Sequence, residues 1–300
     1  MAPPDTVTLA LWATNLSRPL SSLDDWAARV DARLADAKAA GARLLVMPEY
    51  ACEQWLSFRP DGLPATQEIA WMGERAPDAL ERLRPLVARH GVGLLAGTMP
   101  WAVDGGFANR AWLLLPDGRE IAHDKLVLTP AEMDPEGWQL ETGSEIPVVD
   151  WDGMRLAPLV CLDVEMPAIS VALARHSVDL LLVPSQTARL AGYSRVFGCA
   201  RARAVELLCA VAATGCVGIS AVGNANVSGC AVFVPCERAL GSTGLHAEIA
   251  PTDGADMDDE PFLVARDIPL GVIAKLRAGG AEVWPGAWDA HHITIREVSR

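Results

Sequence analysis

The residues of this chain best suited to chemistry are a glutamate, a lysine and a cysteine, each delivered by an apolar run. Glu49 closes RLLVMPEY, Lys125 sits in HDKLVL, and Cys161 follows RLAPLV and precedes LDVEMP. Strand C-terminal ends are where α/β proteins place their sites. A cysteine nucleophile needs a base or a positive field to lose its proton, and its tetrahedral intermediate needs donors aimed at the developing oxyanion. A carboxylate, an ammonium and a thiol on converging strand ends would supply all of these. Taken singly, each has a plainer reading: free cysteine packs in cores, a glutamate after a strand faces water, and a lysine between apolar runs snorkels. His123, two residues before Lys125, would share its strand face and offers a competing Cys–His pair. No Asn or Asp that would orient this histidine is evident.

The elements that must position these residues can be read from periodicity. TVTLALWAT reads as a buried strand. In the segment after it, Leu23, Trp26, Val30, Leu34 and Ala37 fall at helical spacing, Ser22 and Asp25 fit a capping box, and Gly41 ends the helix. RLLVMPEY is a strand buried on both faces. A helix over 78–89 has Pro85 in its middle, and GLLAGT begins a further strand. Two hairpins come next, around Pro-Asp-Gly in residues 108–128 and around Asp-Gly in 146–160, and they require antiparallel pairing. Beyond Pro167 come a helix (AISVALARH), a strand (DLLLVP), a helix over 194–208, a strand (LCAVAAT) and short strands at VGISAV, GCAVFVP and PFLVARDI. Apolar strands with amphipathic helices outside them predict two mixed sheets packed face to face, a four-layer α/β/β/α sandwich forming one domain over 1–300.

Composition narrows the function classes. A hydrophobic fraction of 51% in 300 residues provides for a large core. The net charge of −13, with no run of lysines or arginines, argues against a nucleic-acid partner. No window approaches the apolar length of a bilayer span, the N-terminus lacks a basic leader, and the seven cysteines form no CxxC pair. A soluble cytoplasmic protein is expected. The adjacent His291 and His292 lack metal-ligand spacing, so no metal site is expected. The acidic stretch TDGADMDDE, 252–260, misses the calcium-loop pattern and reads as a solvated loop.

The three residues, in the order MPEY, HDKLVLTPAE and APLVCLDVEMP, with DLLLVPSQT and ARAVE after them, resemble the nitrilase or carbon-nitrogen hydrolase superfamily over essentially the whole chain. The resemblance implies the same sandwich. It also implies Glu49 as general base, Cys161 as nucleophile, and Lys125 with the backbone N–H of Leu162 as oxyanion stabilisers. Glu132 matches the family's second glutamate, with Glu136 and Glu141 as nearby alternatives. No cofactor is implied. The chain departs from the family at Glu165, where many members carry arginine, and at Met166, Ala168 and Glu206-Leu207.

The resemblance points to an amidase-type hydrolase of non-peptide C–N bonds acting through a Cys161 thioester. Its substrate would be a small amide, an N-carbamoyl compound or a nitrile. Acyl transfer to an amine is an alternative within the superfamily, and a non-catalytic binding or scaffold protein is the alternative outside it. Pocket candidates at strand ends are Tyr50, Trp55, Trp138, Glu165, Gln186 and Tyr193, with Arg189 or Arg195 as the cation for a carboxylate-bearing amide. A homodimer or higher homo-oligomer is expected, and the tail over about 277–300, with its tryptophans, could pack on a partner subunit or cover the core.

Overall fold

The computed structural model describes residues 2–282 and 290–297. Its first sheet contains β1 (Val7–Trp12), β2 (Leu44–Val46), β3 (Gly93–Val103), β4 (Gly106–Leu114) and β5 (Glu120–Asp124). Its second contains β6 (Val149–Trp151), β7 (Met154–Pro158), β8 (Leu180–Ser185) and β9 (Ala210–Gly215). After the two-residue strands β10 (Gly218–Ile219) and β11 (Ala225–Asn226), β12 (Ser228–Phe233) and β13 (Leu245–Thr252) complete the second sheet. The last strand, β14 (Phe262–Ile268), returns to the edge of the first. The strand orders are β14-β1-β2-β3-β4-β5 and β13-β12-β9-β8-β7-β6. In each sheet a parallel trio, β1-β2-β3 or β7-β8-β9, is flanked by antiparallel strands, so both sheets are mixed.

The alternation of side chains along β1 shows how the layers assemble. Leu9 and Leu11 face the second sheet and join a cluster with Leu156, Leu180 and Leu182, whereas Ala10 and Trp12 face outward onto Trp26, Val30 and Leu34 of α1 (Leu23–Ala39). A strand buried on both faces has no polar face to show, hence its continuous apolar run. The helices α2 (Ala65–Gly73) and α3 (Ala76–His90) lie with α1 in the outer layer of the first sheet. The short α4 (Pro130–Met133) comes after β5, and α5 (Pro167–Leu173) and α6 (Leu190–Leu207) cover the second sheet. A short helix, α7 (Leu270–Lys275), comes after β14. The result is the α/β/β/α sandwich.

Local chemistry sets the boundaries. Ser22 accepts the N–H of Asp25 at the start of α1, but the Asp25 carboxylate takes the N–H of Ser21 instead of Ser22, so the cap is shifted by one residue on its return bond. Pro85 lies within α3 without ending it, because its ring sits on the exposed face, where water can satisfy the carbonyl it leaves unpaired. The β6–β7 hairpin turns through Asp152 and Gly153, both at positive φ, as a two-residue primed turn requires. Helix α6 begins at Leu190, four residues before the periodicity places it. Strand β13 gives no signal in the sequence: LHAEIAPT lies at an edge and is mostly half-exposed, so it lacks an apolar run. Trp284 and Trp288 of the tail lie outside the described residues.

Candidate active site

Glu49, Lys125 and Cys161 arrive at one point from different strand ends. Glu49 lies three residues past β2, Lys125 directly past β5, and Cys161 three residues past β7. The backbone bends sharply at two of these places: Tyr50 and Cys161 are both in the left-handed region, at φ 51° and 47°, and each leads into a 3₁₀ turn, Ala51–Phe58 and Cys161–Glu165. Such conformations carry strain of order 1–3 kcal/mol and persist where their surroundings enforce them. Enforcement at Glu49 comes from the neighbouring strand. Gly97 in β3, at φ 69°, lies so close to Pro48 that a Cβ on it would fall 2.0 Å from the Pro48 carbonyl oxygen, and Thr98 Oγ1 accepts the N–H of Tyr50 at 3.0 Å.

Charges and donors are packed tightly around the lysine. Lys125 Nζ donates to Glu49 Oε1 at 2.8 Å and to Glu132 Oε2 and Oε1 at 2.7 and 2.9 Å, and all three side chains are buried. Glu132 stands at the third position of α4, where Thr129 and Glu132 complete a capping box. Its carboxylate also accepts from Tyr50 OH at 3.0 Å and from the N–H and hydroxyl of Thr129. Asn109 on β4 bridges the two carboxylates, donating through Nδ2 to Glu49 Oε1 at 2.8 Å and to Glu132 Oε1 at 3.1 Å. The other Glu49 oxygen takes the backbone N–H of Gln186 at 2.9 Å, and the Cys161 thiol faces the Gln186 carbonyl at 3.7 Å.

The electrostatics arise from burial with one cation between two anions. Burial pushes the Glu49 carboxyl up, Lys125 opposes this, and the nearby Glu132 charge adds to it. Burial likewise pushes the Cys161 thiol well above its usual range, the Glu49 carboxylate adds to the rise, and Lys125 offsets part of it. Burial alone would pull the Lys125 ammonium down, yet Glu49, the Cys161 sulfur and Glu132 outweigh it and leave it raised. Glu132 is lowered, because Lys125 and the Thr129 donors overcome its desolvation. The site therefore holds a neutral thiol against a carboxyl of elevated pKa, next to a fixed positive charge.

Above these groups opens a cavity of about 680 Å³, lined among others by Glu49, Lys125, Glu132, Cys161, Gln186 and Trp138. Its size suits a small-molecule ligand. A model of the carbon-nitrogen hydrolase family matches residues 6–257, which takes in every strand end just described. The chain belongs to the carbon-nitrogen hydrolase family. Among its relatives is the probable hydrolase YhcX of Bacillus subtilis (strain 168), 25% identical over 287 residues that make up 93% of this chain and 54% of that protein. The chain thus spans about half the length of that relative. An omega-amidase YafV of Yersinia enterocolitica is 28% identical over 218 residues, 72% of this chain and 76% of its own. The crystal structure of an amidase from Nesterenkonia sp. superposes with a TM-score of 0.70 at 25% identity, covering 93% of this chain and 96% of that one.

Within this carbon-nitrogen hydrolase, the other residues singled out from the sequence divide by position. Tyr50, Trp138 and Gln186 line the cavity, with Tyr50 and Trp138 in edge contact at 4.9 Å. Glu136 and Glu141 are exposed, whereas Glu132 is buried and bonded to Lys125. Trp55 does not reach the cavity. It is fully buried in edge contact with Trp26 of α1, because the 3₁₀ turn that carries it rotates it toward the outer helices. Glu165 and Arg195 pair with each other at 3.4 Å, and Arg189, the cap residue of α6, is exposed; neither arginine lines the cavity. The early start of α6 turns both arginines outward, and Glu165, at the end of the 3₁₀ turn after Cys161, also lies outside the cavity lining. The same start buries Tyr193 against Phe197, with its hydroxyl 3.3 Å from Glu248.

Three positioning residues escape a reading of the sequence. Asn109 is one. Asp163 is the second: it accepts the N–H groups of Leu126, Val127 and Val160 at 2.9–3.1 Å, tying the lysine loop to the cysteine loop. It also supplies the carboxylate partner of His123, 3.4 Å from Nε2, while Nδ1 faces the Glu145 carbonyl; this histidine is built into the loop junction and does not line the cavity. The third is Glu53, which lies on the cavity wall and accepts from Gln186 Nε2 at 2.9 Å. A 3₁₀ turn repeats every three residues, so Tyr50 and Glu53 share a face; recognising that turn from the sequence would have found Glu53. The acidic loop is not simply solvated either, since Asn15 Nδ2 donates to the carbonyls of Gly254, Asp256 and Asp259. Glu260, its last residue, is buried against Arg29 and Arg33.

Proposed function

We propose that this protein hydrolyses the C–N bond of a small amide through a covalent Cys161 thioester. The observation that carries the reading is the buried Glu49 carboxylate, which interacts with both the Lys125 ammonium and the Cys161 thiol at the base of the cavity. Because the thiol is held neutral, the base acts during attack: the S–H proton passes to Glu49 as sulfur bonds to the carbonyl carbon. The carbonyl oxygen takes the electron pair and is stabilised by Lys125 and the N–H of Leu162, at the start of the 3₁₀ turn that carries the strained cysteine. Collapse breaks the C–N bond as Glu49 returns its proton to the departing nitrogen, releasing ammonia or an amine and leaving the thioester. Water then gives a proton to Glu49 and attacks the thioester carbon. The carboxylic acid departs and sulfur recovers the proton. Glu132 fixes Lys125 and, through Asn109, the orientation of Glu49.

Several features support this reading: family membership, the omega-amidase and amidase among the relatives, and a cavity of small-molecule size. None of the described helices is long and apolar enough to cross a membrane. We also propose self-association through the outer helical layer, where Val171 of α5 and Leu190 and Val205 of α6 are exposed. The test is ammonia release from a panel of simple amides, ω-amides, N-carbamoyl compounds and nitriles, with the parent protein and Cys161→Ala. Release from amides that disappears in the variant is expected. Release that survives the substitution, or activity confined to nitriles, would overturn the reading.

A further inference from the structure

The cavity is electrostatically one-sided. Its lining carries the carboxyl groups of Glu49, Glu53, Glu68, Glu132 and Asp134 against one ammonium, Lys125. That ammonium is paired with Glu49 and Glu132, at the reacting end of the cavity. The carboxyl groups away from the reacting atoms therefore have no cation from the cavity wall. Glu53 is the most demanding of them. It is 1% exposed, its Oε1 accepts from Gln186, and its Oε2 is buried with no donor in hydrogen-bond geometry. The Ser220 hydroxyl lies nearby. A buried carboxylate oxygen without a donor costs free energy that a ligand donor would recover. Glu68, close to it, is tempered by Trp138 and by Arg59, whose guanidinium is held on the carbonyls of Leu56 and Ala221 outside the cavity lining.

We propose that Glu53, backed by Glu68, forms a subsite for a cationic group, so that the substrate is an amide whose far end carries a protonated amine. This rests on the amidase reading and specifies its substrate class. Gln186 links the two ends: its backbone N–H is on Glu49, its carbonyl faces the Cys161 thiol, and its side-chain amide is on Glu53. A substrate with its carbonyl at Cys161 and its chain running beside Gln186 brings its far end to Glu53 Oε2. An amide bearing a carboxylate would meet like charge there, since Arg189 and Arg195 stand outside the cavity. Burial, with Glu68 and Glu49 adding and Gln186 and Ser220 opposing, pushes the Glu53 carboxyl up to about 7. Binding of an ammonium group would therefore release a proton from Glu53 near neutral pH, which calorimetry in buffers of different ionisation enthalpy reads directly.

The experiment compares kcat/KM for 5-aminopentanamide, pentanamide and the monoamide of glutaric acid. The ammonium amide should exceed pentanamide by about tenfold or more, as a desolvated charge pair implies, and the carboxylate amide should fall below both. In Glu53→Gln the ratio of ammonium amide to pentanamide should drop toward one, chiefly through KM. A general loss of folding would lower both substrates together and leave the ratio in place. A ratio near one in the parent protein, a preference for the carboxylate amide, or an unchanged ratio in the variant would overturn the subsite. If the parent hydrolyses pentanamide without such a ratio, the subsite fails and the amidase reading stands. If it hydrolyses none of the three, the subsite is read from affinities for Cys161→Ala protein, where tighter binding of 5-aminopentanamide than of pentanamide supports it and equal binding rejects it.

Discussion

Replacing Glu132 with glutamine keeps its volume and asks what its charge does. The carboxylate is surrounded by donors alone: Oε1 faces Lys125 Nζ, Tyr50 OH and Asn109 Nδ2, and Oε2 faces Lys125 Nζ and the N–H and hydroxyl of Thr129. Whichever way the new amide points, its NH₂ meets three donors. The hydroxyl on either side can turn to accept, but the ammonium and the remaining N–H donor cannot. Lys125 keeps Glu49, so the full cost of an orphaned buried charge is avoided, and a loss of about 1–3 kcal/mol in stability is expected. Catalysis should suffer more, because Lys125 and Glu49 lose the group that fixes both; by analogy with removal of one preorganised donor, kcat should fall about 10²–10³-fold. The decisive readout is pH. The Glu132 charge helps to hold the Glu49 pKa up, so removing it lowers that pKa and moves the acidic limb of the kcat/KM profile to lower pH. The assays are denaturant unfolding and amide turnover across pH. A variant that is less stable but keeps parental kcat and an unmoved acidic limb would refute the argument and leave Glu132 as a structural group.

Two further predictions concern Glu53 and assembly. The Glu53 carboxyl sits near 7 in the folded protein against a reference of 4.5, so the fold holds its proton more tightly than the unfolded chain does. This contribution is fully present below 4.5 and is lost as pH rises toward 7, worth about 3 kcal/mol over that span at about 1.36 kcal/mol per unit. Urea midpoints of parent and Glu53→Gln should therefore converge in acid and separate in favour of the variant near neutrality, and parallel pH dependences would refute the assignment. Sedimentation at micromolar concentration should show a dimer or larger assembly through the α5–α6 layer, and a monomer would reject the assembly.

The sandwich is legible in the sequence because burial imposes simple periods. A strand covered on both faces must be apolar throughout, and a helix on an outer layer must keep one apolar stripe, so β1, β2, α1 and the Asp-Gly hairpin can be read directly. Glu49, Lys125 and Cys161 are legible as residue types at strand ends, whereas Glu132, in the short helix α4, is found only through the family resemblance. What is not legible is orientation within irregular turns. Trp55 and Glu53 lie two residues apart in one 3₁₀ turn, so Glu53 shares the face of Tyr50 while Trp55 packs on Trp26. Arg189 and Arg195 are misplaced for a related reason, since α6 begins before any apolar spacing announces it. Asn109 could not be found because its partners, Glu49 and Glu132, are remote in sequence and it lies inside a strand whose pattern only reports burial.

The placement of the site has a consequence for how its geometry is maintained. Glu49, Asn109 and Lys125 belong to the first sheet or its strand ends, whereas Cys161 and Gln186 come after strands of the second. Glu49 and Cys161 therefore meet through the packing of one sheet on the other. Asp163, on the cysteine loop, reaches across to the backbone of Leu126 and Val127 just past the lysine, and the Gln186 N–H reaches across to Glu49. These are hydrogen bonds to ionisable carboxylates, short and directional, at the point where a small slide between sheets would most disturb proton transfer. The leucines between the sheets supply the attraction but little directional register; the carboxylate bonds supply the register. That division of labour accounts for a buried aspartate outside the cavity lining and two residues from Cys161: with three backbone N–H groups on its oxygens, the Asp163 charge is spent on holding the loops.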